Sequence, residues 1–190
     1  METIRKKLIL ASASPRRQEL LKLIGCPFTI EVSNAEELIP DGMAAHDIPQ
    51  YLSGLKAEAV FSHHRGENAA VLGSDTVVAL DGEVFGKPHD EADAFRMLRA
   101  LSGREHEVIT GVTILTDEKD IRFTSIARVR FYGLSDEEIR AYIASGEPFG
   151  KAGSYAIQGK GALLAEGITG DVYTVIGLPV AEVWRRLRAL

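Results

Sequence analysis

Residues 8–17, LILASASPRR, bring two serine hydroxyls and two neighbouring guanidinium groups into one short stretch. Leu8, Ile9 and Leu10 suit a buried strand, and Ala11, Ser12 and Ala13 open a turn. Ser14 stands at an N-cap and Pro15 at the first helical position, where its missing N–H does no harm. Arg16 and Arg17 then fall in the helical turn where the macrodipole is already positive, a placement costing roughly 0.3–1 kcal/mol for each exposed cation. An anion there would offset that cost. Free backbone N–H groups, two Arg forks and the hydroxyls of Ser12 and Ser14 can cradle a phosphate or polyphosphate. A solvated Arg pair at a helix start is the alternative.

Acidic residues and further cations recur downstream. Glu36 and Glu37 lie in a polar loop, Ser33 to Asp41. Lys56 flanks the apolar stripe of a helix, where a lysine is ordinarily just solvated. Asp75 interrupts the apolar run AAVLGSDTVVAL at 69–80, and an Asp is expensive to bury unpaired. It either caps a bulge or holds a metal or water, with Gly73 favouring a bulge that aims the carboxylate. Asp81-Gly82 is a strong hairpin signal, and the returning strand leads into Gly86-Lys87-Pro88, setting Lys87 within a few residues of opposite Asp75. Cations for a polyphosphate and carboxylates for a divalent ion point to phosphoryl-transfer or pyrophosphate-releasing chemistry. No Walker, kinase or zinc signature competes.

The elements that must position these groups can be read in order. The first helix buries Leu20, Leu21 and Ile24 and ends at Gly25, and Phe28 to Val32 forms a second strand. Residues 47–64 form a helix with Ile48, Tyr51, Leu52, Leu55 and Ala59 inward. Strands at 70–72 and 77–80 flank the Asp75 turn, and Asp90 caps a helix facing inward through Ala94, Met97, Leu98 and Leu101. Glu105 to Thr116 and Ile121 to Tyr132 form a long hairpin. Ser135 and Glu138 make a capping box for a helix ending near Gly146. Residues 150–161, GKAGSYAIQGKG, are a glycine-rich loop, either functional or a plain connection. A strand from Gly161 to Ile168 and a helix opened by Pro179, with Trp184 in the core, complete the chain. The expected fold is α/β, a mixed twisted sheet flanked by helices, with two lobes around a central cleft in a single domain over residues 1–190.

Composition narrows the function. With 22 basic and 27 acidic residues the net charge is −5, and no basic run can track a nucleic-acid backbone, so nucleic-acid binding is disfavoured. The single Cys26, read as a small buried filler, excludes an intramolecular disulfide and any multi-Cys zinc site. The start METIRKK carries no long apolar region or cleavage site, and no apolar stretch is long enough to span a membrane, so a cytoplasmic protein is expected.

SASPRR at 12–17, the acidic pair 36–37, Lys56-Ala57, GSDT at 73–76, GKP at 86–88, LSG at 101–103, KAGSYAIQG at 151–159 and GLP at 177–179 together resemble the Maf family, in order and across nearly the whole chain. The resemblance implies a fold similar to inosine triphosphate pyrophosphatases. It also implies a nucleoside triphosphate pyrophosphatase that cuts between the α and β phosphates. Arg16, Thr76 and Gln158 match the branch acting on dTTP and UTP. In that reading Glu37 and Asp75 hold a divalent cation, Mg²⁺ or Mn²⁺, and Asp75 takes a proton from water. Ser12, Arg16, Arg17, Lys56 and Lys87 bind the triphosphate, and Gln158 reads the base. Ser74 and Gly150 depart from the family's commoner Ala and Asp. Alternative functions are a sanitising pyrophosphatase for modified nucleotides and a non-catalytic nucleotide-binding regulator of cell division, the family having been associated with septum formation. A homodimer is left open.

Overall fold

The apolar run at 8–10 is a fully buried strand with strands paired on both of its edges. The computed structural model describes residues 4–190, and residues 1–3 of METIRKK and of the expected 1–190 domain lie outside the described residues. In chain order the elements are β1 (Lys7–Leu10), α1 (Pro15–Lys22), β2 (Phe28–Ile30), α2 (Ile48–Phe61), β3 (Ala69–Leu80), β4 (Glu83–Phe85), α3 (Glu91–Leu101), β5 (Glu105–Leu115), β6 (Asp120–Phe131), α4 (Asp136–Ala144), β7 (Ala165–Thr169), α5 (Val172–Ile176) and α6 (Val180–Leu187). The strands form one seven-stranded sheet in the order β2-β1-β3-β5-β6-β7, with β4 paired to β3. β1 runs parallel to β2 and β3, whereas β4 is antiparallel to β3 and β7 to β6. This is the expected mixed α/β architecture.

The chain divides into two compact units. Among the described residues the first comprises those up to Asp75 together with 110–125 and 177–190, and the second residues 76–109 and 126–176. Ile9, Ala11, Ala57, Val60, Phe61, Ala69, Val71 and Leu115 form a core in the first unit. In the second, Phe85, Leu98, Leu101, Val129, Phe131 and Ile139 are almost completely buried in another.

Local signals hold where their cause is local. The Ser135 and Glu138 capping box is present in both directions, Asp90 accepts from the Asp93 N–H, and Ala94, Met97, Leu98 and Leu101 are buried. Asp81 and Gly82 both take positive φ, as the hairpin turn requires.

Other expectations are corrected. β3 runs as one strand through Gly73–Thr76 rather than as two strands flanking a turn at Asp75. Gly73 serves close packing: a Cβ there would lie 2.3 Å from the Ser53 carbonyl oxygen on α2. Gly111 on β5 plays the same part, with a Cβ meeting the Pro49 carbonyl carbon at 2.3 Å. Because α2 lies so close to the strands, its buried face is made of Ser53, Gly54 and Ala57 beside Ile48 and Leu52, while Tyr51, Leu55 and Ala59 are half-buried. β2 stops at Ile30, and β7 begins at Ala165 after a 3-10 turn at Lys160–Leu163. Trp184 is half-buried under Arg188, whose guanidinium carbon lies 5.7 Å from the indole centroid, and Cys26 is also only half-buried.

Candidate functional site

The turn after β1 carries the first group of candidate residues. Ser12 is buried, and its Oγ accepts the Ser14 N–H at 3.2 Å. Ser14 occupies the N-cap position of α1, but its side chain caps nothing, and Pro15 follows at the helix start. Arg16 and Arg17 therefore sit in the first turn of α1, both half-buried. The Arg17 Nε donates to the Gly177 carbonyl at 3.0 Å, and the Ser74 hydroxyl donates to the same oxygen at 3.0 Å. The departure at Ser74 thus has a structural part, tying β3 to the GLP segment that receives Arg17. The partner of that hydroxyl is 103 residues away, and no local pattern points to it.

A second group is assembled by α2 and β3. The Lys56 Nζ lies 2.5 Å from Asp75 Oδ1 and 3.1 Å from Glu37 Oε2. The Lys56 and Asp75 side chains are only 12% and 13% exposed, whereas Glu37 is half in water at 51%. The closeness of α2 to β3 at Gly73 is what allows this: Lys56 precedes Ala57, which packs on Gly73, and Asp75 follows Gly73 by two residues. The Ser53 hydroxyl and Gln50 Nε2 each lie 2.9 Å from Thr113 Oγ1, holding the same helix face to β5.

The two groups feel one another. Burial pushes the Arg17 guanidinium below its ordinary value; Asp75 draws it back, Arg16 lowers it further and Glu37 raises it. Arg16, Arg17, Glu37, Lys56 and Asp75 therefore share one electrostatic neighbourhood in the first unit. Glu36, the other acidic candidate, is exposed.

Thr76, Lys87 and Gln158 belong to the second unit. Thr76 is half-buried, and Lys87 and Gln158 are exposed. β3 and β4 pair from Val78 with Phe85 to Leu80 with Glu83, so Lys87 lies beyond the paired residues. The Gly86 carbonyl accepts the Gly153 N–H at 3.1 Å, joining the GKP turn to the KAG turn. Gly153 has φ +67, and a Cβ there would meet Val78 Cγ2 at 2.8 Å. The 150–161 loop is built rather than plain: it contains a 3-10 turn at Ala152–Ser154, a second begins at Lys160, and the Tyr155 hydroxyl lies 2.9 Å from the buried His106 Nε2. Gly150 has φ +74, a conformation that glycine adopts more readily than residues with a side chain.

The family model described as Maf-like protein matches residues 7–190. The chain belongs to the Maf family. Maf relatives include the dTTP/UTP pyrophosphatase of Bacillus mycoides (strain KBAB4), 50% identical over 183 residues that cover 96% of this chain and 95% of that protein. The dTTP/UTP pyrophosphatases of Bacillus cytotoxicus and Bacillus velezensis are 49% and 48% identical over the same share of this chain, covering 95% and 96% of their own lengths. Among the described residues of this Maf chain, no helix is long and apolar enough to cross a membrane, and no three His, Cys, Asp or Glu side chains cluster as a ready metal cage.

Proposed function

We propose that this chain is a nucleoside triphosphate pyrophosphatase that hydrolyses dTTP and UTP to the nucleoside monophosphate and pyrophosphate. The observation that carries the reading is the convergence of Asp75 and Glu37 on one ammonium, within the field of Arg16 and Arg17. Relatives about half identical over nearly their whole length bear the name of this activity.

The donor set suits a hard divalent cation. Two carboxylates already accommodate a compact positive charge, that of Lys56, and an octahedral ion takes one or two carboxylates and completes its shell with water and phosphate oxygens. Glu37 and Asp75 would hold it. When bound, Mg²⁺ or Mn²⁺ would neutralise triphosphate charge and make the attacking water more acidic.

The chain's own residues supply the rest. Ser12, Arg16 and Arg17 bind phosphate oxygens at the mouth of α1, with Arg17 oriented by the Gly177 carbonyl. Lys56 and Lys87 carry further positive charge to the tail. Asp75 accepts a proton from the water whose oxygen attacks the α-phosphorus; the α–β anhydride bond breaks and pyrophosphate leaves. Arg16, Thr76 and Gln158 set the preference for a pyrimidine, the Gln158 amide offering both a donor and an acceptor. The protein acts in the cytoplasm, a reading supported by its single cysteine and its nucleotide substrate.

Pyrophosphate release over a panel of normal and modified nucleoside triphosphates, with and without Mg²⁺, tests this. Fastest Mg²⁺-dependent release from dTTP and UTP supports it. Faster release from modified nucleotides, or binding without release, overturns it.

A further inference from the structure

The 156–161 segment is held by one acidic side chain that no catalytic step uses. α4 ends in a turn in which Ser145 and Gly146 donate to the carbonyls of Tyr142 and Ile143, and Glu147 follows. The Glu147 Oε1 accepts the Tyr142 hydroxyl at 2.8 Å and the Gly161 N–H at 2.9 Å, while Oε2 accepts the Lys160 N–H at 2.9 Å. The Tyr142 oxygen in turn accepts the Ala156 N–H at 3.1 Å, and the Ala156 carbonyl accepts the Gly159 N–H at 3.1 Å. Both ends of a five-residue span centred on Gln158 are thus fastened to one carboxylate, directly or through Tyr142. Gly159 lies so close that a Cβ there would stand 2.2 Å from Glu147 Oε2. Burial raises the Glu147 pKa, but the N–H groups of Gly161 and Lys160 and the Tyr142 hydroxyl more than offset this, so the group titrates below the ordinary carboxyl value.

We infer that Glu147 is a positioning residue for nucleotide selectivity: its carboxylate and Tyr142 fix the backbone of residues 156–161 and thereby the place of Gln158. The inference rests on the reading that Gln158 meets the base. A carboxylate suits the task because it is acceptor-only and takes three donors at once. An amide in its place presents an NH₂ group to a backbone N–H.

The test uses Glu147→Gln, with Gly159→Ala as a second variant that crowds the carboxylate without changing it. For each, the ratio of kcat/KM for dTTP to that for CTP is measured on one preparation, so any inactive fraction cancels. Amide hydrogen exchange at Lys160 and Gly161 is followed alongside. The ratio should fall about tenfold or more, through KM rather than kcat, as expected when a recognition group is misplaced by an ångström. Exchange at the two amides should quicken, and Glu147→Gln combined with Gln158→Ala should discriminate no worse than Gln158→Ala alone. An unchanged ratio with unchanged exchange overturns the inference. Should Gln158→Ala itself leave the ratio intact, base reading by Gln158 fails; quickened exchange in Glu147→Gln then still supports the clamp, and unchanged exchange overturns it.

Discussion

Lys56 on α2 and Asp75 on β3 form a largely water-shielded ion pair, 2.5 Å between Nζ and Oδ1, with the Glu37 carboxylate 3.1 Å from the same ammonium. One lysine thus bridges two acidic groups. Lys56→Met removes it, and breaking such a shielded pair costs about 3–5 kcal/mol. Thermal unfolding should show a lowered Tm that added Mg²⁺ restores in part, with a larger upward shift than in the parent. An equal Mg²⁺ shift in both proteins would contradict a cation site at these carboxylates.

Gly73→Ala places a Cβ 2.3 Å from the Ser53 carbonyl oxygen and 2.9 Å from the Ala57 backbone nitrogen. Neither backbone atom can move without α2. Urea unfolding should show a loss of roughly 1–3 kcal/mol, the usual range for overpacking. Because α2 carries Lys56, kcat should fall as well, and a stable variant with full activity would show that α2 and β3 need not be this close.

Ser74→Ala removes one donor from the Gly177 carbonyl and keeps the Arg17 Nε bond. The loss is one neutral hydrogen bond, so stability should drop by about 0.5–1.5 kcal/mol. Arg17→Lys keeps the charge but loses the fork, and should raise KM for dTTP far more than Ser74→Ala does. Equal effects of the two substitutions on KM would place Arg17 outside phosphate binding.

His106 is buried, and burial pulls its pKa from 6.5 down to about 4. Its Nε2 faces Tyr155, while its Nδ1 has no hydrogen-bond partner among the described residues. A folded-state value below the unfolded one means that the unfolded chain binds the extra proton first. The neutral imidazole therefore supports folding fully above about pH 6.5, and that support is lost as the pH falls toward 4. Urea unfolding between pH 7 and pH 4 should fall more steeply in the parent than in His106→Gln, and parallel curves would contradict a buried neutral histidine.

The parts of the fold that the sequence made legible have causes within a few residues. The Ser135 capping box, the Asp90 cap and the Asp81-Gly82 turn are local hydrogen-bond and φ preferences. The packing role of Gly73 has no local signal, because α2, which lies against it, comes from a different stretch of chain. The same close contact made small Ser53 and Ala57 the buried face of α2, where periodicity favoured the larger Tyr51 and Leu55. At the site, Arg16, Arg17, Glu37, Lys56 and Asp75 were chosen by residue type and by resemblance, and they share one neighbourhood. The Gly177 carbonyl and the Glu147 carboxylate were not anticipated, because each is defined by donors that only tertiary structure brings to it.

Gln158→Glu replaces an amide donor with a carboxylate that can only accept. The order of preference among dTTP, UTP, CTP and GTP should change while pyrophosphate remains the product. An unaltered order in steady-state kinetics would remove Gln158 from selectivity.

Asp75→Asn keeps the size of the side chain and removes the proton acceptor. Pyrophosphate release from dTTP, measured together with dTTP binding by calorimetry, is the most direct trial of Asp75 as the base. Release should fall by about 10²–10⁴-fold, the span a positioned general base contributes, while the dissociation constant stays within a few-fold of the parent. Release near the parental rate, with dTTP still bound, would contradict it.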